Sequence, residues 1–200
     1  MVVWLSPASA QQLLDRVVAR VNGIAITQTD VEAALGLGVV SVEPGEDAIA
    51  SGTRQLVDRQ LLLAEVARFP PPEPGDAAVA DVVAAMEAHA GERYDALLRA
   101  TGLDEPRVRD LARDTLRIDA YVSQRFGTTP QVSTQDARDY YDTHRQAFVR
   151  DGVLPPFEAI EAEVRQAASA ERRRATVARW IAELRARGDV VEVTPRPSRP

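Results

Sequence analysis

Two short runs of β-prone residues stand near the start of the chain. Val17–Val21 and residues 24–26 flank the dipeptide Asn22-Gly23. Asn-Gly between two such runs favours a two-residue hairpin loop, because both positions of that turn adopt positive φ. The pattern therefore predicts a β-hairpin in a chain whose remaining pattern is mostly helical.

A helix is expected directly after this hairpin. Residues 29–32 read Thr-Asp-Val-Glu, which matches a capping box. In that motif the Thr hydroxyl accepts a backbone N–H, and the Glu carboxylate reaches back to the cap. The predicted helix reaches about Leu37 and ends near Gly36 or Gly38.

Helical periodicity dominates the middle of the chain. Apolar residues recur three or four positions apart, as on one face of a helix, and prolines or glycines interrupt the pattern at 70–75 and 127–130. The predicted helices are 47–68, 77–90 with Asp76 as its cap, 92–100, 105–126, one that follows Ser133 and contains Tyr140, Tyr141 and Phe148, and 157–187.

A last β-prone run lies at residues 190–193, after Gly188 ends the longest helix. A lone hairpin is only marginally stable in water, so we expect this strand to pair with the N-terminal hairpin. The predicted fold class is mainly α, a multi-helix core with a small antiparallel sheet. Residues 11–194 would then form one folding unit closed by both termini, and 195–200 a disordered tail.

Composition excludes several kinds of chemistry. All 24 basic residues are Arg, Cys is absent, and the net charge is −6. Without Lys there is no phosphate-loop or Schiff-base lysine, and without Cys there is no thiol nucleophile or thiolate zinc site. An acidic chain is also a poor partner for nucleic acid. No cofactor and no metal is expected.

Residues 1–10 end in Ala8-Ser9-Ala10, which fits the small-x-small rule for signal-peptide cleavage. We interpret them as the remnant of a secretory signal, and the alternative is an unstructured N-terminus with a chance match. No other segment approaches the roughly 20 apolar residues that span a membrane. The expected location is the periplasm.

Several stretches, taken in chain order, resemble the SurA-type periplasmic chaperones. The first stretch is the most specific of them. The helical stretches are weak singly and support the resemblance only because they occur in the same order. The stretches are Asp15-Arg16-Val17-Val18-Ala19 with Val21-Asn22-Gly23, Ile26-Thr27 and Asp30-Val31; residues 56–63; Val132-Ser133 through Tyr140-Tyr141, His144 and Phe148; and Phe157-Glu158 with Ile160 through Trp180-Ile181 and Glu183-Leu184.

The resemblance implies a chaperone module that binds unfolded secreted or outer-membrane polypeptides without ATP. Family members commonly carry a parvulin-type prolyl isomerase domain before the last stretch, whereas only residues 149–156 stand there in this chain. The resemblance therefore implies no isomerase activity. Two alternatives stay open, a helical scaffold or oligomerisation module with one dedicated partner, and a peptidyl-prolyl isomerase. A homodimer is compatible with the sequence.

A chaperone surface for extended clients uses broad apolar area with few fixed polar contacts. Exposed apolar atoms are most expected in the proline-bounded loop at 69–75, and the alternative for each candidate is a place in the core. The candidates for a peptide-binding crevice are Leu35, Leu37, Val40, Leu62, Phe69, Met86, Tyr94, Tyr121 and Trp180.

Polar candidates are weaker. His144 follows Asp142, but no Ser or Cys nucleophile motif accompanies the pair, so a structural role is favoured. His89 has no second ligand at metal-binding spacing and stands where a helix C-terminus favours a cation. Arg172-Arg173-Arg174 is interpreted as a solvated helix face and not as a phosphate site.

Overall fold

The computed structural model describes residues 15–127 and 132–193. The signal remnant expected at 1–10 and the tail expected at 195–200 lie outside the described residues. In chain order the elements are β1 (Val17–Val21), β2 (Ile24–Thr27), α1 (Gln28–Gly36), α2 (Ala48–Arg68), α3 (Asp76–Ala90), α4 (Tyr94–Thr101), α5 (Glu105–Phe126), α6 (Thr134–Thr143), α7 (Phe157–Arg187) and β3 (Val190–Glu192).

The sheet has the strand order β2-β1-β3, and both pairings are antiparallel. Val21 lies opposite Ile24 on one side and opposite Val190 on the other. Asn22 N–H donates to the Asp189 carbonyl at 2.8 Å, and Asp189 N–H donates to Asn22 Oδ1 at 3.2 Å. The mainly α fold class and the pairing of the last strand with the hairpin are therefore confirmed.

The hairpin turn has the predicted backbone. Asn22 and Gly23 have φ of 51° and 83°, the left-handed values that an Asn-Gly turn requires. Toward the other end of β1 the pairing register shifts between Val17 and Ala19, which marks a β-bulge. The bulge lets Val18 and Ala19 both be buried although they are neighbours in sequence.

The capping box of α1 lies two residues earlier than predicted. Thr27, the last residue of β2, is the N-cap, and its hydroxyl accepts from Asp30 N–H at 3.2 Å. Asp30 Oδ2 in return accepts from Thr27 N–H at 2.8 Å. The assignment to Thr29 and Glu32 was wrong because the strand runs directly into the helix, which places Thr29 inside the first turn.

Two compact units make up the chain. Within the described residues, the first contains 15–57, 86–104 and 189–193, and the second contains 58–85, 105–127 and 132–188. Each unit gathers segments that are distant in sequence, so neither is a contiguous stretch of chain. The expectation that the chain folds as a single unit stays a prediction.

Within the first unit, glycines allow α1 to approach its neighbours closely. A Cβ on Gly52 of α2 would stand 2.6 Å from Val31 Cγ1, and a Cβ on Gly36 would stand 2.6 Å from a methyl of Leu97 in α4. Val31 is fully buried. Because these glycines have no Cβ, α1 can pack closely against α2 and α4.

Within the second unit, α6 and α7 enclose an aromatic core. Tyr141 packs against Phe148 and Phe157, with ring centroids 5.8 Å apart in both pairs, and its hydroxyl donates to the Pro155 carbonyl at 2.6 Å. Both the apolar ring and the phenol are thus satisfied in the interior. The buried members are Val132, Ala137, Tyr141, Phe148, Phe157, Val164 and Ala168.

Two helices differ in detail from their prediction. The helix expected to contain Phe148 ends at Thr143, and Phe148 lies in a separate 3₁₀ turn over Arg145–Phe148. α7 has the predicted bounds, but Ile160 has non-helical angles of φ −127° and ψ 17° that break its first turn. Apolar periodicity does not distinguish a continuous helix from one interrupted at a single residue.

The α6 cap is tied to α7 by charge. Ser133 is the N-cap, Asp136 closes a reciprocal capping box with it, and Arg172 of α7 lies 2.7 Å from the Asp136 carboxylate. Hydrogen bonds from Arg172 and then from Ser133 lower the pKa of Asp136 to about 2. The folded state therefore favours the charged carboxylate.

This shift predicts an acid-dependent contribution to stability. Since the pKa falls from 3.8 to about 2 on folding, Asp136 stabilises the protein above pH 3.8 and loses that effect as the pH falls toward 2. We expect wild type to exceed Asp136→Asn in urea midpoint by a constant margin between pH 7 and 5. The margin should shrink steadily below pH 4. A margin that persists unchanged at pH 2, or is already lost at pH 5, would contradict the contact.

Candidate functional site

An open groove of about 500 Å³ lies in the second unit, beside the end of α2 and the late turns of α5. Its lining contains an exposed aromatic ring, a proline, a buried tyrosine and polar residues, with no carboxylate among them. We call it the Phe69 groove, and its lining residues are Arg68, Phe69, Pro70, Tyr121, Gln124 and Arg125.

Phe69 is exposed because proline chemistry ends α2 at this point. Phe69 N–H still donates to Glu65 O at 2.9 Å, but Pro70 disfavours helical geometry at the preceding residue. Phe69 therefore leaves the helix and stays 58% exposed. A fully exposed phenylalanine side chain forgoes about 1.5–3 kcal/mol of burial free energy, and the described chain leaves most of this ring uncovered.

The opposite wall comes from one face of α5. Tyr121, Gln124 and Arg125 stand three and four residues apart, which places them on the same side of the helix. Tyr121 is stacked on Trp180 of α7 with centroids 5.9 Å apart, and Phe126 lies 5.2 Å from the same indole. The wall is therefore supported from behind by a packed aromatic cluster.

Arg125 is held over this cluster. Its guanidinium carbon stands 4.9 Å from the Trp180 ring centroid and 5.6 Å from that of Phe126. Cation–π contacts of this kind position a guanidinium without neutralising it. Arg68, at the other side, is 3.2 Å from the Glu65 carboxylate and is thus already paired.

Two polar atoms in the aromatic cluster have no partner among the described residues. The Tyr121 hydroxyl and the Trp180 indole nitrogen are both buried and make no hydrogen bond there. A buried polar group without a hydrogen bond costs about 1–3 kcal/mol. Such groups are therefore few in native proteins. Tyr121 also lines the groove, so the orphan hydroxyl belongs to its wall.

The structure distributes the sequence-predicted crevice residues between the units. Phe69 and Tyr121 meet in the groove, and Trp180 lies behind Tyr121. Leu37, Val40, Leu62 and Met86 are buried in the core and present almost no surface to a client, while Leu35 and Tyr94 are half-buried. The role of these nine residues in peptide binding stays a prediction, and Phe69 is the one among them with a largely exposed side chain.

Sequence reasoning missed the polar half of the groove. Arg68 and Pro70 adjoin Phe69 directly, and Gln124 and Arg125 follow Tyr121 at helical spacing. That spacing was the available signal, since residues three and four positions apart share a helix face. Which face of α5 is left open cannot be read from one helix alone.

A second groove of about 410 Å³ lies in the first unit, next to the sheet and the start of α2. Its charged lining residues are Arg16, Asp47, Arg54 and Glu192, which carry both signs. Asp47 Oδ1 accepts from Ala50 N–H at 2.7 Å and so caps α2. This groove also has apolar lining residues, Val18, Ile49 and Val193 among them, but it offers no aromatic side chain.

His144 is engaged in structural contacts. Its Nδ1 is 2.9 Å from the Tyr140 carbonyl, its ring stacks on Tyr140 at 4.1 Å, and its Nε2 is 3.7 Å from a Glu171 oxygen. Burial, together with the Glu171 carboxylate, raises the pKa of Tyr140. These contacts join α6 to α7, and the adjoining pocket of about 420 Å³ contains no Ser or Cys in its lining.

Two members of the arginine triplet are likewise engaged. Arg172 pairs with Asp136, as described above, and Arg173 Nη2 donates to Ser123 Oγ at 3.3 Å. Nothing in these contacts gathers the guanidinium groups around one anion.

A partly buried charge network connects α2 and α5. Arg59 Nη2 donates to the Leu111 carbonyl at 2.9 Å. Burial lowers the pKa of Arg59 and raises that of Asp114 and Asp119, while the attraction of the two carboxylates to Arg59 opposes each shift. Structural ion networks commonly perturb pKa values in this way, and these groups do not line the Phe69 groove.

Within 15–127 and 132–193, no group of three or more His, Cys, Asp or Glu could hold a metal ion. None of the helices described over those ranges combines the length and apolarity that crossing a membrane requires.

No protein-family model matches the sequence, and no curated protein matches it. The chain is similar in structure to a solved chain at a TM-score of 0.56 and 10% sequence identity, and the likeness covers 90% of this chain and 100% of that one. That chain comes from work on the virulence factor PEB4 and the periplasmic protein Cj1289, described as two structurally related SurA-like chaperones of Campylobacter jejuni. At this identity the likeness shows a shared fold.

The orphan hydroxyl predicts the response of Tyr121 to substitution. Tyr121→Phe should leave the free energy of unfolding within about 0.5 kcal/mol of wild type or raise it, because no hydrogen bond is lost. Tyr121→Ala should cost about 3–5 kcal/mol, because it removes a ring packed on Trp180. Urea unfolding measures both, and a loss above about 1 kcal/mol for Tyr121→Phe would mean that the hydroxyl has a stabilising partner.

Proposed function

We propose that this protein is an ATP-independent holding chaperone for unfolded polypeptides, without isomerase activity. Its clients would be secreted or outer-membrane proteins, met in the periplasm. The Phe69 groove would bind apolar client segments and so reduce their aggregation. The shared fold with a chain described among SurA-like chaperones supports this proposal, and so does the sequence resemblance.

The observation that carries the proposal is the exposed ring of Phe69 in an open groove. Phe69 stands 58% exposed beside Pro70, with the Tyr121 ring in the facing wall. Contiguous exposed apolar surface marks interaction sites in proteins, and Phe69 with Pro70 places such surface at the edge of an open groove. The groove is open and combines an exposed aromatic ring with flexible polar side chains, which suits clients of varied sequence.

Weak contacts fit a holding function. Burial of one aromatic side chain contributes about 1.5–3 kcal/mol, which alone gives a dissociation constant in the millimolar range or weaker. A client that engages the groove together with other apolar surface would bind more tightly through effective concentration. Each single contact would still exchange quickly, so the client would be released without nucleotide hydrolysis.

The alternatives predict different behaviour. A scaffold or oligomerisation module would bind one dedicated partner and ignore unrelated unfolded chains. A prolyl isomerase would accelerate cis–trans exchange in a proline peptide, an activity that we do not expect from the short bridged turn between Arg150 and Val153 at the place where relatives carry a catalytic domain. A homodimer stays a prediction that sedimentation would test.

Aggregation of a denatured outer-membrane barrel protein tests the proposal. Diluted from urea, it should scatter light less as this protein approaches equimolar amounts, with serum albumin as control. Phe69→Ser should reduce the suppression severalfold, because it removes the main exposed apolar group of the groove. The matched control is Val153→Ser, since Val153 is 66% exposed and lies outside the groove.

Three results would be informative in this assay. Suppression by wild type and Val153→Ser, with a clear loss in Phe69→Ser, supports the groove. Equal suppression by all three proteins would place client binding elsewhere. Suppression no better than that of albumin, with circular dichroism showing a folded protein, would contradict the holding function and favour the dedicated scaffold.

A further inference from the structure

The lining of the Phe69 groove is positively charged, whereas the whole chain is negatively charged. The whole protein has a net charge of −6, yet the groove is lined by Arg68 and Arg125 and by no Asp or Glu. Solvated surfaces of an acidic protein are expected to show carboxylates at random positions. A groove from which they are absent while two guanidinium groups border it has an electrostatic preference of its own.

Arg125 supplies most of that preference. Arg68 is paired with Glu65, whose side chain is only 11% exposed. Arg125 forms no ion pair with a carboxylate in the described ranges and rests on the Trp180 and Phe126 rings. Because ring contacts already fix the guanidinium of Arg125, this side chain would lose little further conformational freedom when it binds a carboxylate.

The apolar and cationic parts of the groove lie next to each other. Phe69 and Pro70 form one side, and the Tyr121 ring stands one helical turn from Arg125 on the other. A client segment that inserts an apolar or aromatic side chain here would bring its neighbouring residues toward Arg125. The hydroxyl of Tyr121 is buried, so the polar contact on this side comes from Arg125.

From this arrangement we infer that the Phe69 groove prefers client segments in which an aromatic side chain is adjacent to a carboxylate. The inference rests on the function proposed above and adds the client chemistry. Contact with the exposed ring of Phe69 supplies the apolar part of the binding. Arg125 supplies the discrimination, favouring Asp or Glu neighbours and repelling Lys or Arg. A basic client segment of the same hydrophobicity binds more weakly.

Labelled model peptides test the inference directly. Three rhodamine-labelled Gly/Ser peptides of equal length each carry one Phe, flanked by Glu, Gln or Lys, and fluorescence anisotropy with the full chain gives their affinities. We expect the Glu peptide to bind about fivefold more tightly than the Gln peptide, as for a largely exposed ion pair, with the Lys peptide weakest. The difference should diminish at 0.5 M salt, because screening weakens exposed pairs.

Variants assign the effect to its residues. Arg125→Gln should remove the preference for the Glu peptide over the Gln peptide, and Arg125→Lys should restore part of that preference. Arg93→Gln removes an equal charge from an exposed position outside the groove and should change nothing. Phe69→Ser should weaken all three peptides.

The outcomes separate this inference from the proposed function. Equal affinity for the Glu and Lys peptides, or a preference that survives Arg125→Gln, overturns the inference even if aggregation is suppressed. A single-stranded oligonucleotide, which also presents rings and negative charge, is the competing ligand. Tighter binding of the oligonucleotide than of the Glu peptide overturns the inference as well. Loss of both peptide binding and aggregation suppression would contradict the proposed function itself.

Discussion

The pairing of β1 with β3 is the constraint on which the rest of the first unit depends. It brings residues 18–22 beside residues 189–193 through backbone hydrogen bonds such as that from Val193 N–H to Val18 O at 2.8 Å. β1 becomes a central strand only when β3 is present, which turns a marginal hairpin into a three-stranded sheet. Along the described chain, α1 to α7 all lie between the two paired strands, and the longest of them, α7, leads directly into β3.

In the second unit, the candidate site depends on Pro70 and Trp180. Phe69 is exposed because Pro70 ends α2, and the wall that faces it is firm because Tyr121 rests on Trp180. The same indole supports the guanidinium of Arg125. Trp180 is only 6% exposed. It nevertheless positions both the Tyr121 ring and the Arg125 guanidinium of the groove. The site is thus built by packing of α5 on α7 and by one proline.

The sequence predicted those features that short-range chemistry controls. Asn22-Gly23 specified the hairpin turn, and the prolines and glycines that bound α2, α5 and α7 gave their ends nearly to the residue. The same local patterns gave a wrong N-cap where two candidates lay two residues apart, since Thr27 and not Thr29 caps α1. The break at Ile160 and the early end of α6 left no mark in the apolar pattern, because side chains there remain on the core side.

The groove could be predicted only in part for a related reason. The exposure of Phe69 follows from Pro70 and was expected, whereas helical periodicity assigns Leu37, Leu62 or Tyr121 to a face without saying what covers that face. Arg125 was overlooked because its significance depends on Trp180, which is distant in sequence. Tertiary packing decides which polar residues border an apolar surface, and one sequence does not contain that information in a local pattern.

Site-specific photo-crosslinking tests the central claim most directly. A benzophenone amino acid would replace Phe69 in one preparation and Val153, the more exposed control position, in another. Each protein would be irradiated with an unfolded outer-membrane protein diluted from urea. The account predicts strong crosslinks from position 69 that excess unlabelled client displaces, and weak ones from position 153. Equal crosslinking at the two positions, or none at 69 while aggregation is still suppressed, would show that clients bind outside the Phe69 groove.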